Sequence, residues 1–244
     1  MPRFFTDSSA ISETHATIAG DDARHIARSL RMAVGERVTV CDGEGMEYLC
    51  VLEKIRDDEV ICRIEEASKS TKEPKAKITL YMAYPKGDKL ETVIQKSVEL
   101  GAYKIVPFES ERCIKRPQNE KADKLSLRFN RSAEEAAKQC GRGLLPRVED
   151  TLSFEELCNV IPLHELCLFC YEGEGTVSLK RVLKEAGSPT DIAVIVGCEG
   201  GFSEKEAFRI CECGATPVNL GPRILRCETA PSFCLSALSF FFEL

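Results

Sequence analysis

The stretch Ile192-Ala193-Val194-Ile195-Val196-Gly197-Cys198-Glu199-Gly200-Gly201-Phe202-Ser203 reads as a buried strand, a glycine-rich turn and the start of a helix. Its first five residues are β-branched or alanine, the composition of a strand covered on both faces. Three glycines within the next five positions let the backbone approach a ligand closely and leave amides free to donate. Ser203 then caps a helix expected over Glu204–Cys213, stopped by Gly214, and a helix start favours polar or anionic groups. The spacing is not GxGxxG, and no acidic residue follows about 20 residues beyond a second strand, so a dinucleotide site is disfavoured. A glycine-rich turn without a ligand is the alternative reading of this loop taken alone.

Outward from this stretch the chain alternates strand and helix. Strands are expected at Ile78–Tyr84, Ile105–Phe108, Leu166–Tyr171 and Val218–Leu220. Helices are expected at Lys89–Leu100, Lys121–Cys140, Phe154–Val160, Leu179–Ala186 and Thr229–Phe242. Such alternation implies an α/β unit with a mostly parallel sheet and helices on both faces. The first seventy residues read differently. Arg37–Asp42, Tyr48–Ile55 and Val60–Ile64 are short apolar runs interrupted by one helix around Ile26 and Leu30, the pattern of a small β-barrel. Ala67–Lys77 is polar, charged and carries Pro74, so it is the linker candidate, and two domains are expected at 1–70 and 71–244.

In an open α/β sheet, ligands lie beyond the carboxyl ends of the strands. Two further loops of unusual composition follow strands there. Leu220-Gly221-Pro222-Arg223-Ile224-Leu225-Arg226-Cys227-Glu228 places two arginines and a carboxylate between a strand and an apolar helix, and Tyr171-Glu172-Gly173-Glu174-Gly175 follows Cys170. Each could be a plain surface connection; the apolar Ile224 and Leu225 between the two arginines argue for packing in the first.

The chain of 244 residues carries a net charge of -6 at pH 7. That average opposes a nucleic-acid partner, but the charge is unevenly spread. Residues 1–74 net -5, 75–149 net +6 and 150–244 net -7. Arg24, Arg28 and Arg31 follow helical spacing and would form one basic face, and Lys86 and Arg142 flank element ends beside glycines. Thirteen cysteines suggest a reducing compartment with free thiols, because the count is odd and the opening Met1-Pro2-Arg3-Phe4-Phe5 has no apolar signal run. Cys167 and Cys170 point to opposite faces of a strand and Cys211 and Cys213 to opposite sides of a helix, so no metal site is expected. No stretch is long and apolar enough to span a membrane. His15, His25 and His164 have no evident catalytic partner in the sequence.

Five segments together resemble one family. Gly197–Phe202 is similar to its GPEGGF loop, Leu220–Ala230 to LGxRILRxETA, and Pro85–Gly101 to KGDKLExIIQKATELG. Arg128–Arg142 is similar to its EAxEQCGR segment, and His25–Gly45 to its N-terminal HLxxVLRxKxGD segment. The family is RsmE, the small-subunit ribosomal RNA uracil-N3 methyltransferases of the SPOUT class. Cys198 replaces the usual proline, Phe129 a common tryptophan, and Cys227 a small residue or threonine, while Pro222 lies within the arginine loop.

The resemblance implies a PUA-like RNA-binding barrel followed by a SPOUT domain with a C-terminal trefoil knot. It further implies a cytoplasmic homodimer acting on 16S ribosomal RNA in the small subunit, without metal. S-adenosylmethionine would be held by Cys170, Tyr171, Gly197, Glu199, Gly200, Gly201, Leu220, Gly221, Ile224 and Leu225. Arg226 and Glu228 would be catalytic: Arg226 would stabilise the uracil anion, and Glu228 would act as base, orient Arg226 or cap the last helix. Arg3, Arg24, Arg28, Arg31, Lys86, Lys96, Arg142 and Arg223 would contact RNA. A non-catalytic ribosome-assembly factor on the same fold, and a nucleotide-dependent oxidoreductase, are the alternatives.

Overall fold

The computed structural model describes residues 1–114 and 119–244, with the backbone alone for 119–122; Lys115 and Arg116 of the basic middle segment lie outside the described residues. The chain divides into two compact units. One comprises Met1–Glu73 with Glu134–Leu145, the other Pro74–Ala133 with Pro146–Leu244.

The first unit holds β1 (Arg3–Phe5), β2 (His15–Ala19), α1 (Gly20–Arg24), β3 (Arg37–Cys41), β4 (Met46–Ile55) and β5 (Glu59–Lys69). The sheet order is β1-β3-β4-β5-β2, with β1–β3 parallel and the other pairs antiparallel. Register shifts between Leu49 and Cys50 and between Leu52 and Lys54 bend β4, as bulges do. The two edge strands meet where the Thr6 hydroxyl donates to the Thr17 carbonyl at 2.8 Å, so the sheet curls round its core of Phe4, Ile18, Ile26, Val38, Val40 and Leu52. Two details differ from the sequence reading. Strand β5 runs through Ala67–Lys69, so the polar composition there marks an exposed strand end and the connection begins at Ser70. The helix after β2 is also shorter. It passes at His25–Ser29 into a π-helical turn, and Arg31 takes a left-handed conformation with φ of 50°, so Arg31 leaves the helical face shared by Arg24 and Arg28.

The second unit begins with β6 (Lys77–Ala83), α2 (Lys89–Glu99), β7 (Lys104–Phe108) and α3 (Asn119–Cys140), whose last residues, from Glu134, belong to the first unit. It continues with β8 (Arg147–Val148), α4 (Phe154–Val160), β9 (Leu166–Cys170), β10 (Val177–Ser178), α5 (Leu179–Glu185), β11 (Asp191–Val196), α6 (Glu204–Glu212), β12 (Thr216–Asn219) and α7 (Thr229–Phe242). All pairs in its seven-stranded sheet, β10-β12-β9-β11-β6-β7-β8, are parallel. Strand β11 is buried along almost its whole length, as its β-branched composition requires. Helix α2 buries Leu90, Val93, Ile94, Ser97 and Val98, the i, i+3, i+4 stripe of an amphipathic helix on a sheet. Among the described residues, no helix is long and apolar enough to cross a membrane, and no group of three metal-ligating side chains gathers.

His164 has partners that lie far along the chain. Its Nε2 is 2.8 Å from the Tyr81 hydroxyl, its Nδ1 bonds Asp191, and burial pushes the Tyr81 phenol up to about 12. Separations of 83 and 27 residues put this chain of contacts beyond local sequence reading.

The segment after α3 is fixed within the first unit by one carboxylate. Glu73 accepts from Arg142 Nη2 at 2.6 Å and from the Gly143 and Leu144 amides at 3.0 and 3.1 Å, and Lys138 reaches Asp22 at 2.8 Å. The Arg142 side chain is 5% exposed. Removing one member of a buried pair strands the other, so Glu73→Ala should lower unfolding stability by about 3 kcal/mol. Chemical denaturation measures this; a loss below about 0.5 kcal/mol would mean the pair behaves as a solvated one.

Candidate active site

Strand β9 pairs with β11 on one side and β12 on the other, with Cys170 opposite both Val196 and Val218. The three strands therefore end level, and the loops after Cys170, Val196 and Asn219 emerge at one edge of the sheet. A cavity of about 410 Å³ opens there. The glycine loop contributes Gly197, Cys198, Glu199, Gly201 and Phe202, the arginine loop Ile224, Leu225, Arg226, Cys227 and Glu228, and the loop after β9 contributes Glu172. Val196, Ala230 and Lys89, the first residue of α2, complete the lining.

The glycine loop is held from beneath. A Cβ at Gly197 would lie 2.8 Å from the Phe202 ring, which packs edge-on against Phe169 and stacks on Phe108. Ser203 and Glu206 form a capping box at the start of α6, and the second oxygen of Glu206 accepts from the Glu111 amide at 2.7 Å. Arg112 donates to the Gly200 carbonyl at 2.8 Å. These contacts fix both ends of a loop whose own sequence has little to fix it.

Ionised groups dominate the mouth. Lys89 Nζ lies 3.0 Å from Glu199 Oε1 and 3.2 Å from Glu228 Oε2, and the Lys86 amide donates to Glu199 at 3.2 Å. Burial pushes the Glu199 carboxyl up, but its own amide, Lys89 and the Lys86 amide together hold it below the usual carboxylate range. The Glu228 carboxyl is also lowered, by its own amide first and then by the Cys227 thiol and Lys89. The Lys89 ammonium is raised in turn by Glu199 and Glu228. Glu228 makes no side-chain cap to α7; its carboxylate pairs with Lys89 and accepts from the Cys227 thiol. Arg226 and Arg223 are exposed and have no ion-pair partner among the described residues.

The cavity gathers Gly197, Glu199, Gly201, Ile224, Leu225, Arg226 and Glu228 from the expected site. Cys170, Tyr171, Gly200, Leu220 and Gly221 lie in the same strand end and loops without lining it. Cys170 is buried, with its thiol hydrogen-bonded to Cys234, and Tyr171 stacks on Phe169. The cations expected at RNA divide. Arg3 pairs with Glu47 at 2.9 Å and Arg142 with Glu73, both in the first unit's interior. Arg24 pairs with Asp21, Arg28 with Asp57 and Lys96 with Glu99, all at the surface. Arg31, Lys86 and Arg223 are exposed. From the sequence, Lys89 is one of the basic residues of the middle segment and Glu172 one carboxylate of a loop, and neither is among the expected site residues, yet both line the cavity. A signal for Lys89 exists: a lysine in the first turn of a helix opposes the helix dipole.

The lining suits a small nucleoside-type cofactor bearing positive charge. Its volume is within the range of ligand pockets. Glycine backbone and apolar Val196, Phe202, Ile224 and Leu225 can flank a flat ring, and three carboxylates outnumber Lys89 and Arg226.

The chain matches a family described as RNA methyltransferase domain over residues 71–239, and one described as RNA methyltransferase PUA domain over residues 18–65. It is 35% identical over 232 residues to the ribosomal RNA small subunit methyltransferase E of Bacillus subtilis, covering 93% of this chain and 91% of that protein. A crystal structure of the protein of that name from Neisseria gonorrhoeae, bound to S-adenosyl methionine, is 30% identical with a TM-score of 0.89, covering 99% of this chain and 98% of that one. A Legionella pneumophila protein in complex with the same cofactor is 29% identical with a TM-score of 0.87, covering 98% and 96%.

Cys198 carries an outcome that can be measured. Its thiol hydrogen-bonds to Cys113, and Ser110 Oγ lies 3.2 Å from Cys113 Sγ and 4.0 Å from Cys198 Sγ. The Cys113 hydrogen bond, with the Gly200 amide and Ser110 behind it, lowers the Cys198 thiol, while the same contact raises Cys113. Thiolate absorbance at about pH 7.5, well below the ordinary thiol pKa, should be lost in Cys198→Ser and reduced in Cys113→Ala. Equal absorbance in all three proteins would contradict the assignment.

Proposed function

The chain belongs to the ribosomal RNA small subunit methyltransferase E family of RNA methyltransferases, and we propose that it methylates N3 of a uridine in 16S ribosomal RNA with S-adenosylmethionine as donor. The observation that carries this reading is the cavity in which the glycine loop, the arginine loop and three carboxylates meet.

S-adenosylmethionine, when bound, supplies a methyl group on a positively charged sulfur. The carboxylates of Glu172, Glu199 and Glu228 complement that charge, and the glycine loop offers backbone to the purine and ribose. Tyr171, Gly200, Leu220 and Gly221 extend the same backbone surface.

Uracil N3 is a weak nucleophile because it bears a proton. Removal of that proton places negative charge on N3 and on the uracil carbonyl oxygens, and makes N3 the nucleophile that would take the methyl group. The free guanidinium of Arg226 stabilises that charge. Glu228, held ionised, takes the proton. A carboxylate is a weak base, so its contribution depends on being placed at the proton it removes.

The expected domains at 1–70 and 71–244 then divide the work, the PUA-like unit binding RNA and the C-terminal unit carrying the reaction and the knotted chain path. Arg31 on the first unit, and Lys86 and Arg223 on the second, supply phosphate contacts, and Arg24, Arg28 and Lys96 do so on exchanging their surface carboxylate partners for phosphate. Arg3 and Arg142 serve the first unit's interior. The enzyme acts as a cytoplasmic homodimer. Its α7 leaves Phe233, Phe240 and Phe241 exposed, an apolar stripe suited to a second copy.

Arg226→Ala should lower turnover on small ribosomal subunits by roughly a hundredfold, the usual loss of one preorganised charge stabiliser, with little change in cofactor affinity. Wild-type turnover in this variant would contradict the role. Gly221 has φ of +107°, which a β-branched residue cannot take without strain. Gly221→Val should therefore abolish S-adenosylmethionine binding in calorimetry; unchanged affinity would count against the loop as a cofactor surface.

A further inference from the structure

Lys89 stands at the first position of α2, where a positive charge is disfavoured by the helix dipole. The carboxylates of its own helix start, Asp88 and Glu91, are engaged by Arg128 at 3.6 and 2.7 Å. Lys89 turns away from them and bridges Glu199 and Glu228, which belong to two different loops of the cavity. Its side chain is about one third exposed, so packing does not account for its place. A local arrangement that opposes helix stability and completes a cavity is what a functional site tolerates.

We propose that Lys89 is a positioning residue for methyl transfer: its ammonium clamps Glu199 and Glu228 together, joins the glycine loop to the start of α7, and holds Glu228 ready to accept a proton. The inference rests on the methyltransferase reading above. The double contact has a consequence for the reaction cycle. When Glu228 takes the N3 proton, its ion pair with Lys89 weakens, but Glu199 keeps the ammonium in place. The cation is therefore still present to return Glu228 to its ionised form when the proton leaves to solvent.

The groups around Glu228 set the sign. Lys89 faces it from α2, Glu199 from the glycine loop, Cys227 and Arg226 from its own loop, and Glu172 shares the cavity from the loop after β9. Removing the Lys89 charge leaves Glu199 and Glu172 as like charges, so the protonated form of Glu228 becomes favoured over a wider range of acid pH. The fraction of enzyme with an ionised acceptor then falls on the acid side and recovers as pH rises.

The test compares full-length wild type, Lys89→Met and Lys89→Arg on small ribosomal subunits with S-adenosylmethionine. Two readouts are taken over pH: the methyl-transfer rate, and the carbon-13 carboxyl titration of Glu228, assigned through Glu228→Gln. In Lys89→Met both should move to higher pH, with a rate loss of roughly tenfold on the acid side that shrinks towards alkaline pH. Lys89→Arg should restore both. An unmoved titration in a folded Lys89→Met protein, or an equal rate loss at every pH without rescue by arginine, would overturn the proposal. Absence of methyl transfer in the wild type would defeat the methyltransferase reading instead, and the carboxyl titration would still decide whether Lys89 governs Glu228.

Discussion

The parallel pairing of β9 between β11 and β12 is the constraint on which the rest depends. Because all three strands run the same way, with Val196 and Val218 both opposite Cys170 at their ends, three connections must leave the sheet at one edge. Each connection brings backbone groups that have no sheet partner there. Their sequences answer this in different ways. The glycine loop is pinned by Phe202, Arg112 and the α6 capping box. The arginine loop ends at Glu228, which is tied to Lys89. Slippage of β9 against either neighbour by one residue would turn every side chain over and separate the loops.

Charge is organised locally. The segment 75–149 nets +6, which suggests an open basic surface. Many of its cations are engaged: Lys89 with Glu199 and Glu228, Lys96 with Glu99, Arg128 with Glu91, Lys138 with Asp22, and Arg142 with Glu73. Cations with no ion-pair partner among the described residues are found outside that segment as well, at Arg223 and Arg226, in a stretch that nets -7. Segment charge is thus as blunt a guide to nucleic-acid contact as whole-chain charge, because an ion pair cancels a cation at the distance over which phosphates respond.

Periodicity made the helices and buried strands legible. Residues such as Ile192–Val196, or the stripe Leu90, Val93, Ile94 and Val98, report burial directly through spacing. Short strands were not legible: β1, β8 and β10 have two or three residues each, too few to show any period. The glycine and arginine loops could be read as a site because their composition departs from that of simple connections. Lys89, the Tyr81–His164–Asp191 chain and the Cys113–Cys198 pair could not, since each joins residues brought together only by the sheet order. The buried role of Arg142 was hidden for the same reason, its partner Glu73 lying 69 residues away.

In the proposed function, the cavity at the ends of β9, β11 and β12 directs a methyl group to one uracil nitrogen. The most direct measurement is mass mapping of 16S ribosomal RNA after unmodified small subunits are incubated with the protein and methyl-labelled S-adenosylmethionine. Label is expected at one uridine, on N3 of the base. Label on ribose, on another base or at no nucleotide would contradict it.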